Sequence, residues 1–279
     1  MAYKSLFSVL TDEALIAPVL AQATCLATAQ DAHLDVLCLG VDRSQSGYYY
    51  AGANAMILQE SIERAQAEAT AIETAVKAQL GISGLRYGTE AGVAQLADVA
   101  RHVAAHARFA DLVVLPRPYG ENRGAELEPV IEAALFEGQA PVLMVPDQTH
   151  QITAPQKIAL AWNESAEALN AARAALPLLQ AAQEVHVVVI DPPVHGPNRS
   201  DPGGQLSQYL ARHGVRCEID VLSKTMPRVS DILLRHAKDM GADLVVMGAY
   251  GHSRFREAIL GGATRYMLEQ SEIPVFMAH

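Results

Sequence analysis

The stretch Asp243–Thr264, DLVVMGAYGHSRFREAILGGAT, decides how the chain is read. It opens on an apolar run, Leu244-Val245-Val246-Met247, that stops at Gly248. Gly251 follows after two residues, and the pair Gly261-Gly262 after nine more. A strand that ends in glycines ahead of a helix lets backbone N–H groups approach an anion closely, because no Cβ stands in the way. A nucleotide phosphate is the natural occupant. The alternative is that Gly248 and Gly251 serve a turn and Gly261 ends a loop.

Outward from this stretch, the chain echoes itself. ADLVVMGAYG at Ala242–Gly251 parallels ADLVVLPRPYG at Ala110–Gly120. Pro274–Ala278 parallels Pro141–Val145, Lys157–Trp162 parallels Lys4–Val9, and QEVHVVVIDPP from Gln183 parallels AHLDVLCLGVD from Ala32. Four matches in one order mark a duplicated domain rather than a solenoid repeat. The polar, proline-ended segment Asp147–Gln156 reads as the junction. The expected domains are residues 1–148 and 155–279.

Each copy alternates apolar runs with helical patterns. In the second, strands are expected at Ile158–Trp162, Val185–Ile190, Val215–Leu222, Leu244–Met247 and Pro274–Ala278. Helices are expected at Ser165–Ala182, Gln205–His213, Arg228–Met240 (stopped by Gly241) and Gly262–Glu269. The first copy carries a longer helical stretch, Asn54–Gln79. Strands without polar alternation, separated by helices, imply a parallel sheet covered on both faces. Right-handed crossovers then give an α/β fold of two doubly wound, five-stranded parallel-sheet domains.

Ligands of such sheets sit beyond the carboxyl ends of the strands, at the topological switch point. In the second copy those ends are Asn163, Val189 and Gly248. The spacing suits a nucleotide: phosphates on the glycines and on the helix opened by Gly261-Gly262, sugar near Asn163, base near the Val189 backbone. His252-Ser253-Arg254 follow Gly251 directly and face a terminal phosphate in this reading. The alternative for Arg254 and Arg256 is surface solvation or pairing with Glu257. There is no GxxxxGK[ST], so this is no P-loop, and no GxGxxG follows the first strand.

With these residues in place, the chain resembles the universal stress protein family in its tandem form. The resemblance covers essentially all 279 residues and is strongest in the second copy. There Gly248, Gly251 and Gly261 match the family's G-x2-G-x9-G pattern. Gly262 stands where the family has a serine or threonine, with Thr264 nearby. Asn163 stands where the family has a ribose-holding aspartate; an amide still offers a hydrogen bond, without the charge. The resemblance implies an adenine-nucleotide α-hydrolase-like fold binding ATP or AMP, with Mg2+ as an accompanying ion. The implied nucleotide-binding set is Asn163, Val189, Gly248, Gly251, His252, Ser253, Arg254, Gly261, Gly262, Ala263 and Thr264. It also implies a stress-response sensor or signalling module with at most slow hydrolysis. The first copy has Pro116-Arg117-Pro118-Tyr119 in place of the first glycine pair, and Glu121, Glu126 and Glu128 beyond it. It is expected to bind no nucleotide and to serve as a built-in partner. In the family, paired domains associate through edge strands, here Pro141–Val145 and Pro274–Ala278, forming an intrachain pseudo-dimer; a homodimer of whole chains is also open.

Composition narrows the alternatives. Hydrophobic residues make up 50% and charged residues 19% of the chain, which describes a core-forming protein. A net charge of −10 argues against generic nucleic-acid binding and against docking on an anionic membrane. Cys25, Cys38 and Cys217 are read as buried thiols of a reducing compartment. No leader pattern is visible at the start, so a cytoplasmic location is expected. His102 and His106 lie four apart but lack a third ligand, and are read as a solvated helix face. Tyr48–Tyr50 reads as a packing or partner surface. Ser165 lacks a nucleophile context, and Asp12 and Asp191 are isolated carboxylates, so no catalytic residue is assigned. The runner-up function is a scaffold of the same fold that binds an unidentified protein partner and no nucleotide.

Overall fold

The structure, a computed structural model, describes residues 2–43, 54–121, 123–147, 154–192, 201–249 and 262–279. The described residues form ten strands: β1 (Ser5–Leu10), β2 (His33–Asp42), β3 (Tyr87–Gln95), β4 (Leu112–Pro116), β5 (Val142–Val145), β6 (Lys157–Trp162), β7 (Glu184–Ile190), β8 (Glu218–Leu222), β9 (Leu244–Gly248) and β10 (Val275–Ala278). The inner ones are largely buried, and the outer β3 and β8 mostly not. The helices among the described residues are α1 (Ile16–Gln30), α2 (Asn54–Leu80), α3 (Val99–Ala107), α4 (Leu127–Glu132), α5 (Ala166–Ala174), α6 (Leu176–Ala181), α7 (Gly204–Arg212), α8 (Val229–Met240) and α9 (Ala263–Gln270). None of the described helices is long and apolar enough to cross a membrane.

Two compact units emerge, Tyr3–Ala140 and Pro141–His279. In the first, the strand order is β3-β2-β1-β4, all parallel. In the second, the equivalent strands run β8-β7-β6-β9-β10, also parallel. The winding therefore reverses between β1 and β4, and again between β6 and β9, which puts a switch-point crevice in each unit.

The repeated residues do the same work in both units. Asp111 accepts the N–H groups of Lys4 (2.6 Å) and Ser5 (3.0 Å) at the start of β1. Asp243 accepts those of Gln156 (2.7 Å) and Lys157 (3.2 Å) at the start of β6. The Ala-Asp of the ADLVV motif thus ties each fourth strand to the first.

Three features differ from expectation. The Val142–Val145 strand, assigned by the repeat to the first copy, groups with the second unit, where it runs antiparallel to β10 with Leu143 opposite Phe276. The open edge of β10 presents unpaired N–H and C=O groups, and the fully buried β5 satisfies them. The helix expected over Ser165–Ala182 is broken at Ala175 into α5 and α6. Pro177 lacks the N–H that a continuous helix would need, and is tolerated only in a first turn. Of the cysteines, Cys38 is buried, with burial pushing its thiol pKa up to about 12, but Cys25 and Cys217 are half-buried; all three are free.

Packing in the first unit follows from sequence spacing. Ala65, Ala69, Ile72, Val76 and Leu80 repeat at helical intervals and are all buried, so α2 lays one stripe on the sheet. Gly40 of β2 is where the backbones meet, since a Cβ there would strike the Ala65 carbonyl.

Candidate functional site

In the second unit, β6 ends at Trp162 and the chain turns through Asn163, Glu164 and Ser165 into α5. Asn163 is exposed, and its Oδ1 accepts the Ser165 N–H at 3.1 Å. Glu164 takes a left-handed φ of 63°. Ser165 Oγ then accepts the Ala168 N–H at 3.1 Å, an N-cap that starts α5. The Asn163 oxygen is thereby committed to the turn, which leaves its Nδ2 amide as the group that could donate to a ligand.

Gly248, at the end of β9, lies against the first turn of α5. A Cβ on Gly248 would stand 2.5 Å from Ala168 N and 2.6 Å from Glu167 C. The glycine therefore lets strand and helix backbones touch. This is a packing reason that spacing could not reveal, and it changes the weight of the glycine: Gly248 is needed whether or not a phosphate binds. Past it, Ala249 donates to the Ala278 carbonyl at 2.8 Å, and its own carbonyl contacts His279 Nδ1 at 3.0 Å. Asn170 of α5 reaches the His279 carbonyl at 3.3 Å, so the ends of β9 and β10 and the helix α5 are stitched together.

The helix α9 follows the glycine stretch in sequence. Gly262 is its N-cap at φ −57° and ψ 158°, a conformation open to any residue. Ala263 is exposed and Thr264 is buried in that first turn. The helix is held from behind, because Asp231 of α8 hydrogen-bonds the Tyr266 phenol and pushes its pKa up, and Arg228 lies 4.7 Å over the Tyr266 ring. Val189 is buried inside β7, with Trp162 on one side and Val221 on the other. Gly251, His252, Ser253, Arg254 and Gly261 lie outside the described residues, as do Tyr48–Tyr50.

Several side chains have roles that the sequence reading missed. Ser165 and Asp12 are helix caps; Asp12 Oδ1 accepts the Ala14 N–H at 2.8 Å. A small polar residue just ahead of an alanine-rich run is the signal that marks Ser165 as a cap. His106 is not on a solvated face but stacks on Phe7, ring centroids 5.6 Å apart. His186 and His236 share Asp220 Oδ2 at 3.0 and 2.7 Å, which fastens α8 to β7 and β8. Among the described residues no cluster of acidic, histidine and cysteine side chains is arranged to hold a metal ion.

The first unit's crevice is built differently. Arg43, just past β2, pairs with Glu126, which is 1% exposed, across the ends of the strands. Gly120 lies close to Arg117 and Arg123.

Residues 155–279 match the model of the universal stress protein family. This half of the chain is a universal stress protein domain. A universal stress protein of Synechocystis is 28% identical over 153 residues, covering 54% of this chain and 50% of the relative, so the match spans about half of that protein's length. The tandem fold extends over the whole chain. A universal stress protein from Archaeoglobus fulgidus is similar at a TM-score of 0.69 and 14% identity, covering 98% of this chain and 97% of that one. A structure of that family from Pseudomonas aeruginosa is similar at a TM-score of 0.59 and 16% identity, covering 99% and 93%. At these identities the likeness is one of fold. The two units share one parallel α/β architecture.

Proposed function

We propose that the universal stress protein domain at residues 155–279 binds one adenine nucleotide, ATP or AMP, and serves as a nucleotide-dependent stress sensor in the cytoplasm. The observation that supports this reading is the start of α9, with Gly262 as its N-cap, directly after the glycine stretch that follows β9 in sequence. A helix dipole and the lack of a Cβ on Gly261 and Gly262 together favour a phosphate. The Asn163 amide, just past the end of β6, would donate to a ribose hydroxyl. Arg254 and His252 would meet the terminal phosphates, with Mg2+ accompanying ATP. No residue is assigned as a catalytic base, so turnover would be slow at most. The domain at residues 1–148 acts as an internal partner.

A second reading, a scaffold that binds protein and no nucleotide, is favoured by two observations. Gly248 has a packing reason of its own, and the Asn163 oxygen is engaged by Ser165. The decisive experiment is a Gly262→Asp variant compared with the parent chain by calorimetry with ATP and AMP. Aspartate is a good N-cap, so the helix keeps its start while a carboxylate stands where phosphate would bind. Loss of measurable affinity with unchanged melting temperature supports the nucleotide reading. Absence of any nucleotide affinity in the parent chain, together with no nucleotide released on denaturing the purified protein, refutes it in favour of the scaffold.

A further inference from the structure

The first unit has its own switch-point crevice, bounded by the carboxyl ends of β1, β2 and β4. An ion pair spans it. Glu126, from the segment after β4, presents both carboxylate oxygens to one guanidinium: Oε1 to Arg43 Nη2 at 2.6 Å and Oε2 to Arg43 Nε at 3.3 Å. The carboxylate is 1% exposed, whereas the Arg43 side chain is 45% exposed and also reaches Glu68 of α2 at 3.5 Å. A carboxylate buried this deeply is expensive unless a fork-shaped donor takes both oxygens, as here.

A glycine makes room for it. A Cβ on Gly124 would collide with the Glu126 carboxylate itself. This is the relation that a phosphate-loop glycine has to its phosphate: the missing Cβ lets an anion lie against the backbone. An Arg117 guanidinium nitrogen and the Arg123 stem each lie near Gly120, within about 4 Å of where its Cβ would stand. At the end of β1, the Thr11 hydroxyl is buried and has no hydrogen-bond partner among the described residues. Among the described residues, the other carboxylate that Arg43 reaches is Glu68.

We propose that Glu126 is an internal stand-in for a bound oxyanion: the first unit keeps an anion site at its switch point, formed by Arg43 and the Gly124 backbone, and the chain fills it with its own carboxylate. The unit is thus held permanently in its liganded form and needs no nucleotide to be stable. The inference rests on the first unit alone and stands or falls independently of what the second unit binds.

The test removes the stand-in and offers a free anion. Glu126→Ala is made in the full chain, in the Gly262→Asp background so that the second unit contributes no phosphate response. Melting temperature is followed while inorganic phosphate replaces chloride at constant ionic strength. The expected result is a lowered melting temperature that phosphate raises saturably by several degrees, with no such rise in the parent or in the Arg43→Met, Glu126→Ala double variant. A Glu126→Ala chain that gains nothing from phosphate overturns the proposal, as does a parent chain that gains as much. If Glu126→Ala fails to fold without anion, folding yield in phosphate buffer becomes the readout: recovery supports the stand-in, and failure to recover overturns it.

Discussion

Replacing Gly248 by alanine separates the two jobs that a glycine can have at a strand end. The added Cβ would sit 2.5 Å from Ala168 N, 2.6 Å from Glu167 C and 2.9 Å from Glu167 Cβ. Two of these three are backbone atoms and cannot swing aside. Comfortable carbon contacts lie at about 3.5–4.0 Å, so α5 must retreat from β9 by about 1 Å. Overpacking of this kind costs about 1–3 kcal/mol. The same shift pulls Ala168 away from the Ser165 cap, a further loss of about 1 kcal/mol. The sum is about 2–4 kcal/mol, or a melting temperature lowered by about 5–12 °C for a unit of this size. Thermal and urea unfolding of the full chain read it directly, with Gly262→Asp as the variant expected to keep its stability. If Gly248→Ala melts like the parent but loses nucleotide affinity, the packing argument is wrong and the glycine serves the ligand.

Two further outcomes follow from named contacts. Asn163→Asp keeps the oxygen that accepts the Ser165 N–H and replaces the amide's bond to a ribose hydroxyl by a charge-assisted one, stronger by about 1 kcal/mol, so calorimetry should show nucleotide affinity tightened about 5-fold at unchanged stability. Weaker or unchanged affinity would remove Asn163 from the ribose contact. Glu73 is held below the ordinary carboxylate pKa by hydrogen bonds from Lys77 and Thr89. A depressed folded pKa means that the contribution to stability is present above the unfolded value and is lost as pH falls through the folded one. The Glu73→Gln chain should therefore lose less stability than the parent between about pH 5 and pH 3, measured by urea midpoints. Parallel pH profiles would show that the Glu73 contacts carry no net stabilisation.

The repeat was legible because both copies must build the same sheet. Leu112–Pro116 and Leu244–Gly248 are buried strands, so their sequences stay apolar, and Asp111 and Asp243 anchor the neighbouring strand by the same bonds. Helix ends were legible where a local signal exists, as with Gly241 in the left-handed conformation after α8. The break at Ala175 had its signal in Pro177, which lies inside an otherwise uninterrupted alanine and leucine run.

Other features had no local signal. The role of Gly248 depends on a helix more than eighty residues earlier in the chain, and that of Gly124 on where the Glu126 side chain folds back. VLMV is equally apolar in either sheet; its pairing with β10 was implied by the family resemblance and is found in the structure. Sequence by itself determined the duplicated α/β architecture and the stretch on which a phosphate reading turns. These are consequences of hydrophobic period and backbone chirality, both local. Tertiary structure decided which glycines are there to let backbones touch and which oxygen of Asn163 is already in use. It also showed that the first crevice is bridged by Arg43 and Glu126. The Gly248 contact and the Arg43–Glu126 pair depend on atoms about eighty residues apart in sequence reaching contact distance, and only the folded chain fixes that distance.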